Sequence, residues 1–158
     1  MDLPDVQGKT YYVVGIARSG LATIKTLLKS GAHVYAWDDA LSVRNQASEL
    51  GAILCAPEQA PWERVESLVL SPGIPHQYPD PHPAAVMARR HQVPIVCDLD
   101  LLFQACALAS FVGITGTNGK STTTALIGHM LKNAKRQVAV GGNIGVPVLD
   151  LPSLGARG

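Results

Sequence analysis

Twice along this chain an apolar run of strand length ends in a glycine-rich corner that opens directly into sequence of helical period. The first corner is Gly15-Ile16-Ala17-Arg18-Ser19-Gly20; the second lies within residues 113–124, GITGTNGKSTTT. A strand that hands over to a helix through a tight turn is the repeating unit of a parallel sheet with helical crossovers. The rest of the chain keeps the alternation. Apolar runs predict strands at residues 11–15, 33–37, 52–55, 67–70 and 94–97. Between them, helices are expected at 19–30, 42–50 and 83–91. In the first helix Leu21, Ile24, Leu27 and Leu28 recur at helical spacing, and Gly31 is placed to end it. Ser71-Pro72-Gly73-Ile74-Pro75, with Pro79, Pro81 and Pro83 beyond, lacks donors and reads as loop. A connecting helix is expected at 98–107. A strand at 111–114, a helix at 120–132 and a strand at 137–140 begin a second unit.

Composition closes off several alternatives. The chain has 158 residues, 47% of them hydrophobic and 16% charged, which suits one globular domain and part of another. A net charge of +1 without a lysine-arginine block gives no footprint for nucleic acid or for an anionic membrane. No apolar run has transmembrane length, and the opening residues carry two acids and a proline, unlike a signal peptide. A cytoplasmic protein is expected. Cys55, Cys97 and Cys106 are odd in number and lack metal-ligand spacing, so they read as reduced, structural thiols.

The first corner has the context of a dinucleotide-type fingerprint, with Ala17 in place of the middle glycine. Its backbone N–H groups would face outward at the positive end of a helix, where a diphosphate can sit. Asp38 closes the second strand about twenty residues on, where an acid meets a ribose or a base. A Rossmann-like parallel sheet is therefore expected over residues 1–95. The same residues are also compatible with a plain doubly wound sheet, or with an NAD-binding domain built on Gly15, Ala17, Gly20 and Asp38.

The second corner has the strand-loop-helix context of a P-loop. Successive N–H groups in such a loop form an anion-binding nest. Lys120 can reach outer phosphates as a point charge, and the Ser121 hydroxyl can ligate Mg²⁺. The generic pattern wants glycine five positions before Gly119, where Ile114 stands, and Gly113 comes one place too early. Residues 96–158 are thus expected to begin a P-loop ATP-binding domain.

That departure from the generic P-loop has a likeness. Thr115-Gly116-Thr117-Asn118-Gly119-Lys120-Ser121 resembles the ATP loop of the Mur ligases and their relatives, the ATP-dependent amide ligases of peptidoglycan precursor synthesis and the folylpolyglutamate synthases. Ser71-Pro72-Gly73-Ile74-Pro75 resembles the loop after the fourth strand of the Mur substrate domain. Gly141-Gly142-Asn143-Ile144-Gly145-Val146-Pro147 resembles a loop of their ATPase domain. With the Gly-x-x-x-Ser-Gly turn, the likeness runs over the whole chain and is nearest to the members that join D-glutamate to UDP-MurNAc-L-Ala.

The resemblance implies ATP and Mg²⁺ as cofactors and UDP-MurNAc-L-Ala and D-glutamate as substrates. It assigns phosphate binding to Gly116, Thr117, Asn118, Gly119, Lys120, Ser121 and Thr122. Lys120 is the catalytic residue and Ser121 the Mg²⁺ ligand. Arg18, Ser19, Asp38, Asp39, Gly73 and Asn143 would bind the UDP-substrate, with Asp38 at the uracil. A monomer without nucleic-acid or membrane partners is expected. Only Asp150 follows Lys120 as an acid, whereas relatives carry a later metal-binding Glu and His, a carbamylated lysine and a third domain. The chain is therefore expected to be an N-terminal portion that ligates nothing by itself. A non-catalytic nucleotide-sugar module, another Mur ligase or a folylpolyglutamate synthase relative are the alternatives.

Overall fold

A computed structural model describes residues 1–142 and 145–154. Five strands form one parallel sheet: β1 (Thr10–Val14), β2 (His33–Trp37), β3 (Ile53–Leu54), β4 (Val65–Leu70) and β5 (Ile95–Val96). Their spatial order is β3-β2-β1-β4-β5. Every paired neighbour runs in the same direction. The order reverses between β1 and β4, and the crevice outside their carboxyl ends is where doubly wound sheets hold ligands. The expected Rossmann-like α/β architecture is what the chain adopts.

Period-two sequence sorts the strand side chains into two apolar layers. Tyr11, Val13, Val34, Ala36 and Val69 face one way. Tyr12, Val14, Leu68 and Leu70 face the other, joined by Tyr35 and Trp37. Helix α1 (Arg18–Lys29) buries Ile24 and Leu27 in the first layer, where α2 (Leu41–Glu49) adds Ala47. Helix α3 (Pro83–Arg90) covers the second layer with Ala84, Ala85 and Ala88. Small side chains let that helix lie close against Trp62. The Trp62 indole N–H is buried and donates to the Pro57 carbonyl at 2.7 Å.

Helix α4 (Asp98–Ala105) follows β5 and sends Leu101 and Leu102 into the α1-side layer. A 3₁₀ turn at Val148–Asp150 brings Val148 and Leu149 into that same layer. The end of the described chain thus completes the core beneath α1, and Thr26 Oγ1 meets the Leu149 carbonyl at 3.5 Å.

Helix α5 (Lys120–Asn133) forms where the sequence predicts it. The strands expected at residues 111–114 and 137–140 do not form. A strand exists only as part of a ladder, and these two runs pair with nothing among the described residues. Their apolar side chains stay open: Val112 is 63% exposed and Val140 38%. No helix of the described residues is long and apolar enough to cross a membrane.

Candidate functional site

The corner after β1 is built by two close approaches. Gly15 takes φ +87° and donates its N–H to the Trp37 carbonyl at 3.1 Å. A side chain at Gly20 would stand 2.1 Å from the Gly15 carbonyl oxygen, so only glycine lets α1 start this near the end of β1. Asp38 then staples the corner to β2. Its Oδ2 accepts the Ile16 N–H at 2.7 Å and its Oδ1 accepts the Ala40 N–H at 2.9 Å. The helix itself begins without help. Ala17 offers no side-chain acceptor at the N-cap, and the first turn holds no acid. Its leading N–H groups therefore keep their capacity for an anion.

A cleft of about 730 Å³ opens in front of this corner. Arg18 and Ser19 line it from α1, Ser71 and Gly73 from the loop after β4, and Gly145 from the far loop. Arg18 Nη2 donates to the Gly145 carbonyl at 2.8 Å, which ties residues far apart in sequence across the cleft. A Cβ on Gly73 would meet nothing within 4 Å, so open space rather than packing lies beside it. Of the residues named from sequence, the structure gathers Arg18, Ser19 and Gly73 here. Asp38 and Asp39 lie to one side, at the end of β2. Asn143 falls outside the described residues.

Asp98 also lines the cleft, and sequence reasoning passed over it. The available signal was an acid at the first position of a helix, a placement that the helix dipole favours. Burial nevertheless pushes its carboxyl above the ordinary value of 3.8. An acid whose pKa rises on folding holds its proton more firmly in the native chain than in the unfolded one. Stability then falls as pH climbs from the ordinary value through the raised one, and the whole penalty is present above it. Asp98→Asn is accordingly expected to be more stable than the parent near pH 7.5, with the difference shrinking toward pH 4. Urea titrations at the two pH values measure this.

At the second corner, Gly116 and Gly119 take φ of +149° and +76°. Gly119 is the N-cap of α5, again without a side-chain cap. The Lys120 ammonium folds back onto its own loop and donates to the carbonyls of Gly116 and Thr117, the latter at 3.1 Å. Thr124 Oγ1 donates to the Lys120 carbonyl at 2.8 Å, which holds the first helical turn. Thr117, Asn118, Ser121 and Thr122 are exposed around this turn. The described residues hold no cluster of His, Cys, Asp or Glu suited to a metal ion. The exposed Ser121 hydroxyl fits a role as a single protein ligand to Mg²⁺, an ion that commonly keeps several waters and takes phosphate oxygens.

The cysteines are free and half-buried. Burial pushes the thiols of Cys55 and Cys97 up, which disfavours the reactive thiolate.

The molecule is thus a Rossmann-like α/β protein carrying one glycine corner at the end of β1 and a second, lysine-bearing one ahead of α5. Residues 114–153 match the Mur ligase middle domain. It is 46% identical over 158 residues to a UDP-N-acetylmuramoylalanine--D-glutamate ligase of Paramagnetospirillum magneticum, covering all of this chain and 35% of that protein. The ligase of the same name from Rhodospirillum rubrum is 46% identical over 156 residues, covering 96% of this chain and 33% of the relative. A Wolbachia relative with that name is 44% identical over 154 residues, 96% of this chain and 31% of its own length. The chain spans about a third of the length of these curated relatives. Among solved structures, shikimate dehydrogenase from Aquifex aeolicus superposes with a TM-score of 0.50 at 18% identity, covering 64% of this chain and 46% of that one. That likeness concerns the fold alone.

Proposed function

We propose that this chain carries the substrate-binding corner and the phosphate-binding corner of a ligase that joins D-glutamate to UDP-MurNAc-L-Ala at the expense of ATP. The observation that carries the reading is the convergence of Arg18, Ser19 and Gly73 on one cleft at the carboxyl end of β1 and β4. Identity above 40% to ligases of that name supports the choice of substrates.

In this reading the open N–H groups of α1 and the Arg18 guanidinium take the diphosphate. Asp38 and Asp39, at the end of β2, face the uridine. The chemistry of amide formation explains the second corner. A carboxylate is a poor electrophile until one oxygen becomes a leaving group, so its phosphorylation by ATP precedes attack by the D-glutamate amine. The loop N–H groups from Gly116 to Thr122 and the Lys120 ammonium offset the charge on the migrating phosphoryl group. Lys120 must leave the carbonyls of Gly116 and Thr117 to do so. Mg²⁺, when bound through Ser121, would supply further positive charge to the phosphates. Residues 1–95 form the substrate unit and 96–158 the beginning of the ATP unit, docked through α4 and the turn at Val148–Asp150. The chain is cytoplasmic and monomeric in this reading.

Titration calorimetry tests it. UDP should give saturable heat with the 158-residue chain, and Arg18→Ala should weaken binding about tenfold through loss of a charge-assisted contact to phosphate. Absence of heat at millimolar UDP would overturn the assignment of the cleft.

A further inference from the structure

Arg44 occupies a place that its helix does not dictate. Helix α2 turns Ala47 and Val43 toward the α1-side apolar layer. Trp37 packs with the opposite layer. Yet the Arg44 guanidinium carbon lies 4.3 Å from the centroid of the Trp37 ring. The arginine side chain therefore crosses the carboxyl end of β2 to reach it. Trp37 is itself fixed beside the glycine corner, because its carbonyl accepts the Gly15 N–H and its register partner is Val14.

The guanidinium is also underused. It has five donors. Nη2 reaches the Asp39 carbonyl at 3.4 Å, near the limit for a hydrogen bond. Nε is buried from solvent and has no partner. A flat cation stacked on an indole is held in orientation by the ring face. It presents its remaining donors along one plane, at the end of β2. In a doubly wound sheet that edge receives the nucleoside, while the phosphates go to the helix start.

We infer that Arg44, stacked on Trp37, is a specificity-determining residue that selects the base of the bound nucleotide by donating to a pyrimidine carbonyl. The inference rests on the uridine reading of the cleft. Beside Arg44 stands Asp39, whose backbone carbonyl accepts from Nη2 and whose residue is exposed to solvent. A donor from Arg44 next to an acceptor from Asp39 matches the imide edge of uracil, which offers a carbonyl oxygen beside an N–H. Cytosine offers an amino donor beside a bare ring nitrogen, the inverse pattern. A site arranged for one pattern leaves its polar groups unpaired with the other.

UDP and CDP titrated into the parent chain, Arg44→Met and Arg18→Ala decide the matter. Methionine keeps an unbranched stem over Trp37 and removes the donors. Arg44→Lys keeps the charge but loses the planar fork, and serves if the methionine variant does not fold. The parent is expected to prefer UDP over CDP by about tenfold or more. Arg44→Met should lose UDP affinity by about the same factor with CDP unchanged, so the preference disappears. Arg44→Lys should lose most of the preference. Arg18→Ala should weaken both nucleotides alike. Retention of the parental UDP-to-CDP ratio in both Arg44 variants overturns the inference and leaves the uridine reading standing. Failure of the parent to bind either nucleotide overturns the uridine reading and the inference with it.

Discussion

Gly20→Ala is expected to destabilise the protein by about 3 kcal/mol, at the upper end of the range for overpacking. The added methyl would lie 2.1 Å from the Gly15 carbonyl oxygen and 3.0 Å from its carbon. Both are backbone atoms, so no side chain can rotate away to relieve the clash. Gly15 cannot retreat either. Its N–H is engaged by the Trp37 carbonyl, and its open Cα face abuts Ser71 and Ile74, whose atoms would lie 2.6 and 2.7 Å from a Cβ placed there. The start of α1 has to move away from β1, which loosens the Ile24 and Leu27 contacts and displaces Arg18 from the cleft. For a domain whose total stability is typically about 5–15 kcal/mol, such a loss lowers the melting temperature by on the order of 10 °C. Gly73→Ala is the control. It meets nothing within 4 Å and should change stability by less than about 0.5 kcal/mol. Urea unfolding of the two variants makes the comparison. A Gly20→Ala loss below about 1 kcal/mol would mean that the corner relaxes at little cost.

Leu149→Ala should cost about 2–5 kcal/mol, the range for emptying a leucine site in a packed core. Leu149 is 1% exposed and shares its layer with Ile24, Leu27 and Leu101. Its removal leaves a void between α1, α4 and the turn that carries it. The consequence reaches the cleft, because the same turn follows the loop whose Gly145 carbonyl accepts from Arg18. Equilibrium urea unfolding should show one transition at lower denaturant. A parental midpoint would show that residues 148–150 contribute nothing to the cohesion of the sheet unit.

The Gly20 clash is set within one corner, whereas the Leu149 effect arises where distant segments meet, and this marks how far the sequence could be read. The strand and helix elements of residues 10–105 follow from local patterns. Tyr11 and Val13 against Tyr12 and Val14 is period two; Ile24 and Leu27 is helical spacing; Gly31 and the prolines after Ser71 are punctuation. Residues 111–114 and 137–140 carry strand-like composition but form no ladder, since pairing depends on a neighbouring backbone that composition does not specify. Arg18, Ser19 and Gly73 were nameable one by one from their motifs. Their convergence on one cleft depends on the strand order β3-β2-β1-β4-β5, which places the corners after β1 and β4 side by side. Arg44 and Asp98 carried no motif, and only the packing of α2 across β2 and of α4 beside the cleft brings them forward.

By itself, then, the chain's residue order dictated which stretches coil, which extend, and where glycine must stand so that a strand can turn at once into a helix. These are choices made within a few residues, by backbone sterics and by the spacing of apolar side chains. Tertiary structure decided which corners face each other, that one carboxylate oxygen of Asp38 accepts the Ile16 N–H and so holds the first corner, and that Leu149 closes the core beneath α1. The reason is that those outcomes depend on contacts between groups more than twenty residues apart, whose free energy exists only once the sheet has assembled.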